Sequence, residues 1–526
     1  MAVKKFDVAI IGGGLAGNLL ARQLHQNLSH LTIGLFEKNR STSFKVGEST
    51  VEIASNYLIR RLSLSTYLYE HHLPKNGLRF FFDSQQKDVD LPHMSEIGGV
   101  AFPYHPSFQL DRARLENDLH AMNQENGISV YRGTTVSHLQ IMESSTGTSE
   151  HHFKISSEEG EHECCARWFI DASGRHAVLA KKLRLRSPEP THEQFAVWGR
   201  FRGVADWDAG PDAFRKRIRY SSRMLSTNHF CYPGYWIWFI PLGRGITSIG
   251  VVGDIHSLGR LGLSSQKHFL TFLGRHQAVT TFLGQAEMLD IGSHRKLAYN
   301  TKQYFSANCW GLTGESAVFT DPFYSPGSDF IALENDFLTD LIIRDTQGIS
   351  FDKLCQLSDL YNQYMRFRYE SSLLLYRDLY STLGSFELFK LKWQFDFALY
   401  YHWWLSQYLQ DLHLNEAFLR SQLEEQHFVF NALTNFSSLF KAIETHIKRT
   451  GHYYHCNRKQ FSDSLEGMNH IEHVGLPQPG HTQLKRLTEI FNRIYSQGVG
   501  LLEGTTNSVP HDALPLSRFT SSHPLV

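Results

Sequence analysis

Short apolar runs broken by glycine open the chain, and long, richly aromatic helical stretches fill its last third. Phe6 to Ile11 reads as a strand, and Gly12-Gly13-Gly14-Leu15-Ala16-Gly17 turns it into a helix predicted over Asn18 to Gln26. Leu31 to Phe36 reads as a second strand ending at Glu37. Arg112 to Gln124 has helical spacing. Val130 to Val136 and His152 to Ile155 read as strands of a small sheet, and Trp168-Phe169-Ile170 runs into Asp171-Ala172-Ser173-Gly174-Arg175. From about Phe195 to Ile255 apolar and polar residues alternate with the period of strands. Within that stretch Tyr235-Trp236-Ile237-Trp238-Phe239-Ile240-Pro241 is an aromatic strand ending at proline, with both tryptophans on one face. Trp310 to Glu315 returns to the first unit, Phe351 to Arg449 is helical, and Thr505 to Val526 reads as a loose tail.

These elements predict an α/β chain: a Rossmann-like dinucleotide-binding domain with an inserted, mostly β substrate domain and a helical C-terminal region. The expected division is 1–184 with 296–345, then 185–295, then 346–526. In the first unit Gly12, Gly14 and Gly17 form G-x-G-x-x-G, and Glu37 lies 20 residues past Gly17. The glycines permit a tight turn and a close approach of pyrophosphate to the backbone. The helix N-terminus offers N–H groups, and the acid suits ribose hydroxyls.

Composition narrows the classes. Lys+Arg and Asp+Glu are both 52 in 526 residues, which argues against general nucleic-acid binding. The 29 histidines show no H-E-x-x-H or other metal spacing, so no metal site is expected. His71-His72 and His151-His152 are expected in surface loops. None of the six cysteines forms a C-x-x-C pair, and no leader pattern precedes the first strand, so a reduced, cytoplasmic enzyme is expected. No uncharged apolar run is long enough for a membrane span. The nearest, Phe386 to Leu409, is broken by Glu387, Lys390, Lys392, Asp396 and His402 and reads as an amphipathic buried helix.

The glycine fingerprint, Glu37, Asp171-Ala172-Ser173-Gly174 and Gly314-Glu315 resemble the nucleotide-contact blocks of FAD oxidoreductases of the hydroxybenzoate hydroxylase type. Five further features resemble the flavin-dependent halogenases: Val46-Gly47-Glu48-Ser49-Thr50; Leu73-Pro74-Lys75-Asn76-Gly77; Gln109-Leu110-Asp111-Arg112-Ala113-Arg114; the Trp236/Trp238 run; and Phe319-x-x-Pro322-x-x-Ser325-x-Gly327. The resemblance covers roughly residues 6–345. It implies that FAD contacts Gly12, Gly14, Leu15, Ala16, Gly17, Glu37, Gly47, Glu48, Ser49, Arg112, Val136, Asp171, Gly314, Glu315 and Pro322. It implies a halide, chloride or bromide, held near Ser325 and Gly327. Reduced FAD, dioxygen and halide then give hypohalous acid, Lys75 passes the halogen to an electron-rich arene, and Trp236 and Trp238 keep that arene from the flavin.

The chain departs from the family pattern at three places. The third block usually reads Gly-Asp, and here the acid is Glu315, with a longer arm. Tyr324 stands where tryptophan halogenases carry a glutamate before the serine, which favours a phenol, free or carrier-bound, over free tryptophan. Pro326 after Ser325 has no N–H, which leaves Gly327 as the main halide donor. No second dinucleotide fingerprint is present, as expected if a separate flavin reductase supplies reduced FAD. The alternatives are an FAD-dependent aromatic monooxygenase and a non-halogenating flavin reductase acting on a lipid-like ligand.

Overall fold

The computed structural model describes residues 3–143, 150–468, 470–477, 480–504 and 513–525. The first eight residues of the expected tail, 505–512, and its last residue, 526, lie outside them. Twelve strands matter for the site: β1 (Lys4–Ile11), β2 (Ile33–Glu37), β3 (Leu78–Phe82), β4 (Ser95–Gly98), β5 (Ser129–Arg132), β6 (Gly160–Asp171), β7 (Gln194–Arg202), β8 (Thr227–Tyr232), β9 (Tyr235–Gly243), β10 (Ile246–Asp254), β11 (Trp310–Leu312) and β12 (Phe461–Asp463). Seven helices matter: α1 (Leu15–Asn27), α2 (Arg112–Glu125), α3 (Gly327–Thr346), α4 (Phe351–Leu374), α5 (Phe386–Leu399), α6 (Gln426–Arg449) and α7 (Gly480–Glu503).

The first sheet runs β11-β6-β1-β2-β5, all parallel, with Phe305–Ser306 antiparallel at one edge. The apolar half of β1 is buried at its centre, and α1 and α2 cover it, as a parallel sheet requires. The helix after the glycine turn starts at Leu15 rather than Asn18, so Gly17 lies in its first turn. A glycine weakens a helix by about 1 kcal/mol. Here a Cβ on Gly17 would stand 2.0 Å from the Gly12 carbonyl oxygen, so packing overrides propensity.

The run expected as one strand over Val130 to Val136 is two. Gly133, at φ +65°, ends β5 beside β2, and Thr135–Gln140 starts a separate hairpin with His151–Ser157. Val136 lies in that hairpin.

The second sheet orders as β7-β10-β9-β8-β3-β4-β12, with Glu287–Met288 and Gly292–Arg295 both pairing β7. It draws β3 and β4 from within residues 78–98 and β12 from 461–463, beyond the 185–295 stretch. β9 does not stop at Pro241. It continues to Gly243 through a register shift, because the last partner β8 offers is Asn228, opposite Phe239. A proline beyond its neighbour's end deletes no ladder bond. Alternation along β9 divides two cores. Trp236, Trp238 and Ile240 face the main core, and Ile237 and Phe239 face a smaller one closed by Trp207, Phe269 and Phe282.

In the helical region α5 runs into a π-helical turn, Tyr400–Leu405, and is buried nearly all round rather than amphipathic. α7 and α6 pack on it through Phe395, Phe436 and Phe491. No helix among the described residues is long and apolar enough to cross a membrane. All six cysteines are free. Two histidine assignments are corrected. His72 and His151 are buried, because each ring satisfies backbone groups: His72 Nδ1 accepts from Asp111 N–H at 3.2 Å, and His151 bridges Met142 N–H and the Cys309 carbonyl.

A buried charge cluster anchors the loop that later borders the site. Glu96 of β4 is fully buried, paired with Arg79 at 2.7 Å and Arg223 at 2.9 Å, and Arg79 also donates to the Gly99 carbonyl. Breaking such a pair strands buried charge. Glu96→Ala is therefore expected to lower stability by about 3–5 kcal/mol, read as a fall in the urea midpoint; an unchanged midpoint would refute the pairing.

Candidate active site

The glycine turn separates two kinds of glycine. Gly12, at φ +102°, and Gly17 are required by the protein itself, since a Cβ on either would strike backbone within 2.3 Å. A Cβ on Gly14 would meet nothing nearer than Lys45 Nζ at 3.9 Å. The space in front of Gly14 is thus a cradle that a methyl group would fill. It lies at the N-terminal turn of α1, whose first N–H groups lack intrahelical acceptors. The residues fit a dinucleotide pyrophosphate.

Glu37 is buried and accepts from Gly13 N–H and Asn39 N–H, both at 2.9 Å, which holds the turn to the end of β2. Asp171 is fully buried. Its oxygens accept from Ser173 N–H at 2.9 Å and Leu179 N–H at 2.7 Å, so it braces the loop after β6. Val136 lines neither of the cavities described next.

Two cavities meet behind this turn. The inner one, about 900 Å³, brings together many of the residues singled out in the sequence: Leu15, Gly47, Glu48, Ser49, Arg112, Trp236, Trp238, Gly314, Glu315, Pro322, Ser325 and Gly327. Arg112 donates to the Val46 and Gly47 carbonyls at 3.1 and 3.3 Å and pairs with buried Glu116. Glu48 is buried against Arg200 at 2.7 Å. Burial pushes its pKa up, against the pull of Arg200. Glu315 is partly exposed, within 3.5 Å of Arg175. The outer cavity, about 1230 Å³ with its mouth, is lined by Lys75, Glu52, Asp329 and aromatic side chains from α5 and the π turn.

Lys75 spans the partition between them. It is 2% exposed and lines the outer cavity, yet its Nζ donates to Ser49 Oγ of the inner one at 2.9 Å and to the Thr50 carbonyl at 2.5 Å. Burial pulls its pKa down to about 8, with Glu52 and Asp329 pulling the other way. The segment 46–52 passes from the inner wall to the outer. So does 324–327, in which Tyr324 faces out, Ser325 faces in and Pro326 borders both. Ser325 sits at φ +56° with its N–H spent on the Pro322 carbonyl at 3.1 Å. Gly327 then opens α3.

The tryptophans are held from behind. Trp238 donates to Ser248 Oγ at 3.2 Å, and its ring lies over Gly250, where a Cβ would come within 2.2 Å. Trp236 donates to Tyr380 OH at 3.1 Å; Tyr380 donates to Asp321 at 2.7 Å, and His192 meets the same carboxylate at 2.7 Å.

Sequence reasoning missed several groups. Asp329, a helical turn past Ser325, is buried in the outer cavity and accepts from Ala54 N–H at 2.9 Å and Tyr400 OH at 3.2 Å. Burial pushes its pKa up to about 7. Glu52 accepts from Tyr401 OH at 2.6 Å. Tyr324 does not leave its place without an acid: its OH donates at 2.7 Å to Asp396 of α5, which pairs with Lys392 at 2.5 Å. His229 lines the inner cavity, and burial holds it neutral, its pKa near 3. Only Asp329 had a local signal, an acid one turn into the helix after the Pro326-Gly327 step.

A parallel sheet ended by this glycine turn and an inner cavity beside a tryptophan-bearing antiparallel sheet define an FAD-binding oxidoreductase fold. Residues 5–216 match the family model described as FAD binding domain. A flavin-dependent halogenase of Dictyostelium discoideum is 28% identical over 451 residues, 79% of this chain and 73% of that protein. The 1H-pyrrole-2-carbonyl-[peptidyl-carrier protein] chlorinase of Pseudomonas fluorescens is 24% identical over 344 residues, 62% of this chain and 73% of its own. Among solved structures, the halogenase PltM in complex with phloroglucinol and FAD aligns with TM-score 0.67 at 16% identity, covering 92% of this chain and 96% of that one. The flavin-dependent halogenase CmlS aligns with TM-score 0.58 at 19% identity, covering 84% and 72%. Over most of its length the chain is thus similar to proteins named flavin-dependent halogenases.

The glycine contrast is testable. Gly14→Ala is expected to fold with an unchanged apoprotein melting temperature but to lose FAD affinity at least about tenfold, measured by flavin fluorescence. Gly17→Ala, which clashes internally, is expected not to yield folded protein. Normal FAD affinity in Gly14→Ala would refute the cradle.

Proposed function

We propose that this chain uses reduced FAD, dioxygen and a halide to halogenate an electron-rich, phenolic arene, with Lys75 carrying the oxidant between the two cavities. The observation that carries the reading is Lys75 itself: a buried amine in the wall of one cavity, hydrogen-bonded to a side chain of the other. FAD would lie along the Gly12 to Gly17 turn, Glu37, Arg112, Gly314, Glu315 and Pro322. Reduced FAD supplies the two electrons that, with dioxygen, turn halide into hypohalous acid. Gly327, at the N-terminal turn of α3, would give its N–H to the halide beside Ser325. Trp236 and Trp238 would wall the arene out of the inner cavity, with Tyr380 and Asp321 fixing the first ring. Because no nicotinamide fingerprint is visible in the sequence, the reading includes a separate flavin reductase.

At Lys75 the ammonium donates its proton to the hydroxide leaving hypohalous acid. The ring carbon takes the halogen as the oxygen–halogen bond breaks, water is released, and the ring C–H proton is then lost to the Lys75 amine, which restores the ammonium. Asp329 accepts the phenolic proton, so the ring attacks with phenolate character. The phenol, free or carrier-tethered, reaches the outer cavity with its ring, and its own oxygen supplies the electron density that drives attack on the halogen.

Lys75→Ala is expected to lose halogenated product by at least about 100-fold with FAD affinity intact. Product formed within about tenfold of wild type, under about 1.4 kcal/mol of barrier, would overturn the role. The halogen isotope pattern in the product mass spectrum is the readout, with reductase, halide and a phenol supplied.

The pH profile follows from the two buried groups. Asp329 is ionised above about 7 and Lys75 is protonated below about 8. With both forms required, kcat/KM rises as pH climbs through about 7 and falls above about 8, a bell that belongs to the coupled pair. Asp329→Asn is expected to lower the rate and to abolish the acid limb; an acid limb retained in that variant would exclude Asp329 as the acceptor.

A further inference from the structure

We propose that Glu387, His455 and Cys456 form a zinc site that clasps the start of α5 to the loop before β12. None of the three lines either cavity, and the proposal uses no part of the halogenation reading.

One donor atom from each residue, a carboxylate oxygen, an imidazole nitrogen and a sulfur, lies within 4.8 Å of the other two. Zinc binds such donors at about 2.0–2.3 Å, which sets them roughly 3–4 Å apart around the ion. Small side-chain rotations close the trio to that spacing. The sequence carries no metal spacing because the carboxylate comes from α5, far along the chain from the His455-Cys456 pair.

The donor types select the ion. Calcium and magnesium take oxygen ligands, whereas a sulfur with an imidazole suits zinc. A thiolate and a carboxylate also cancel the charge of a dication. Among the described residues no lysine or arginine pairs with Glu387, so this half-buried acid lacks a cation of its own. Its recorded partner is the Cys456 thiol, whose pKa is pushed up to about 12 by burial and by Glu387 itself. Cys456 Sγ also lies 3.6 Å from His455 Nδ1. On binding, the S–H bond breaks, its proton goes to solvent, and a zinc–sulfur bond forms in its place.

The backbone on both sides of the site is already fixed. Asn457 accepts from Phe386 N–H at 2.9 Å and donates to the Asp83 and Gly384 carbonyls, both at 2.7 Å. Tyr453 OH accepts from Gly384 N–H at 3.1 Å, and Ser95 Oγ donates to the Cys456 carbonyl at 2.6 Å. Each ligand is thus the neighbour of a residue bonded across the junction, so metal binding orders few new groups. The chain then runs through β12 to Ser464 and Leu465 in the wall of the outer cavity. A metal here would pin that wall to α5 from outside.

The test uses the untagged, FAD-loaded full chain, dialysed against a chelator and titrated with Zn2+. The wild type is expected to retain one equivalent, and zinc X-ray absorption is expected to show one sulfur among lighter neighbours. Zinc is expected to raise the melting temperature. Cys456→Ser is expected to lose the sulfur signal, the thermal shift and at least about tenfold in affinity, and Glu387→Gln to lose at least about tenfold while keeping the sulfur. A wild type that binds no zinc, or binds it without sulfur, would overturn the site; the sulfur-free case would move the ion to a cluster such as the exposed His470, Glu472 and His473. So would unchanged affinity in either variant. An unchanged wild-type melting temperature would overturn the clasp. If Cys456→Ser does not fold, the wild-type spectrum and Glu387→Gln still decide.

Discussion

Taking an ammonium out of water is expensive, and the burial of Lys75 sets the terms for everything around it. Among the described residues no carboxylate forms an ion pair with it. It is held by a hydroxyl, Ser49 Oγ, and a carbonyl, that of Thr50, with Glu52 and Asp329 acting from farther off. That combination keeps the amine close to the switch between its two protonation states. A tight ion pair would have locked it as a cation. The segment 46–54 is consequently gripped from both sides: Lys75 holds its middle, and Asp329 holds the Ala54 N–H. Displacing either grip would move the wall between the cavities.

The tryptophan wall follows a similar logic from the other direction. Trp236 and Trp238 are not merely packed. Each indole N–H is tied, one to Tyr380 and the other to Ser248, and Tyr380 in turn rests on Asp321, the residue before Pro322. The tryptophan-bearing strand and the loop around Pro322 are therefore one hydrogen-bonded unit. Aromatic rings fixed this way give the inner cavity a rigid face.

Much of this was legible along the chain wherever the signal is local. The turn at Gly12 to Gly17, the strand bearing Trp236 and Trp238, and the cluster at Ser325 to Gly327 each declare themselves within a few residues, because glycine and proline act on their own backbone and alternation acts over two positions. What could not be read is what arrives from far away. Asp396 meets Tyr324 across 72 residues, and nothing in the helical spacing of α5 distinguishes it from a solvent-facing acid. His72 and His151 were mistaken for surface residues for the same reason: their burial depends on backbone partners contributed by other elements. The single strand expected over Val130 to Val136 failed on a local feature, Gly133, whose turn sends the two halves to different neighbours.

The pairing of β12 with β4 carries a consequence for the order in which the molecule is made. Gly12 to Glu37 completes the strand, turn, helix and strand that would cradle a dinucleotide more than 400 residues ahead of β12. The edge of the second sheet, and with it Ser464, Leu465 and Ile471 in the outer cavity wall, waits for residues 461–471. Pairing across so long a loop is slow to form. A growing chain on the ribosome thus completes its glycine turn long before it can close the wall of the outer cavity, and the two halves of the site come into being far apart in time.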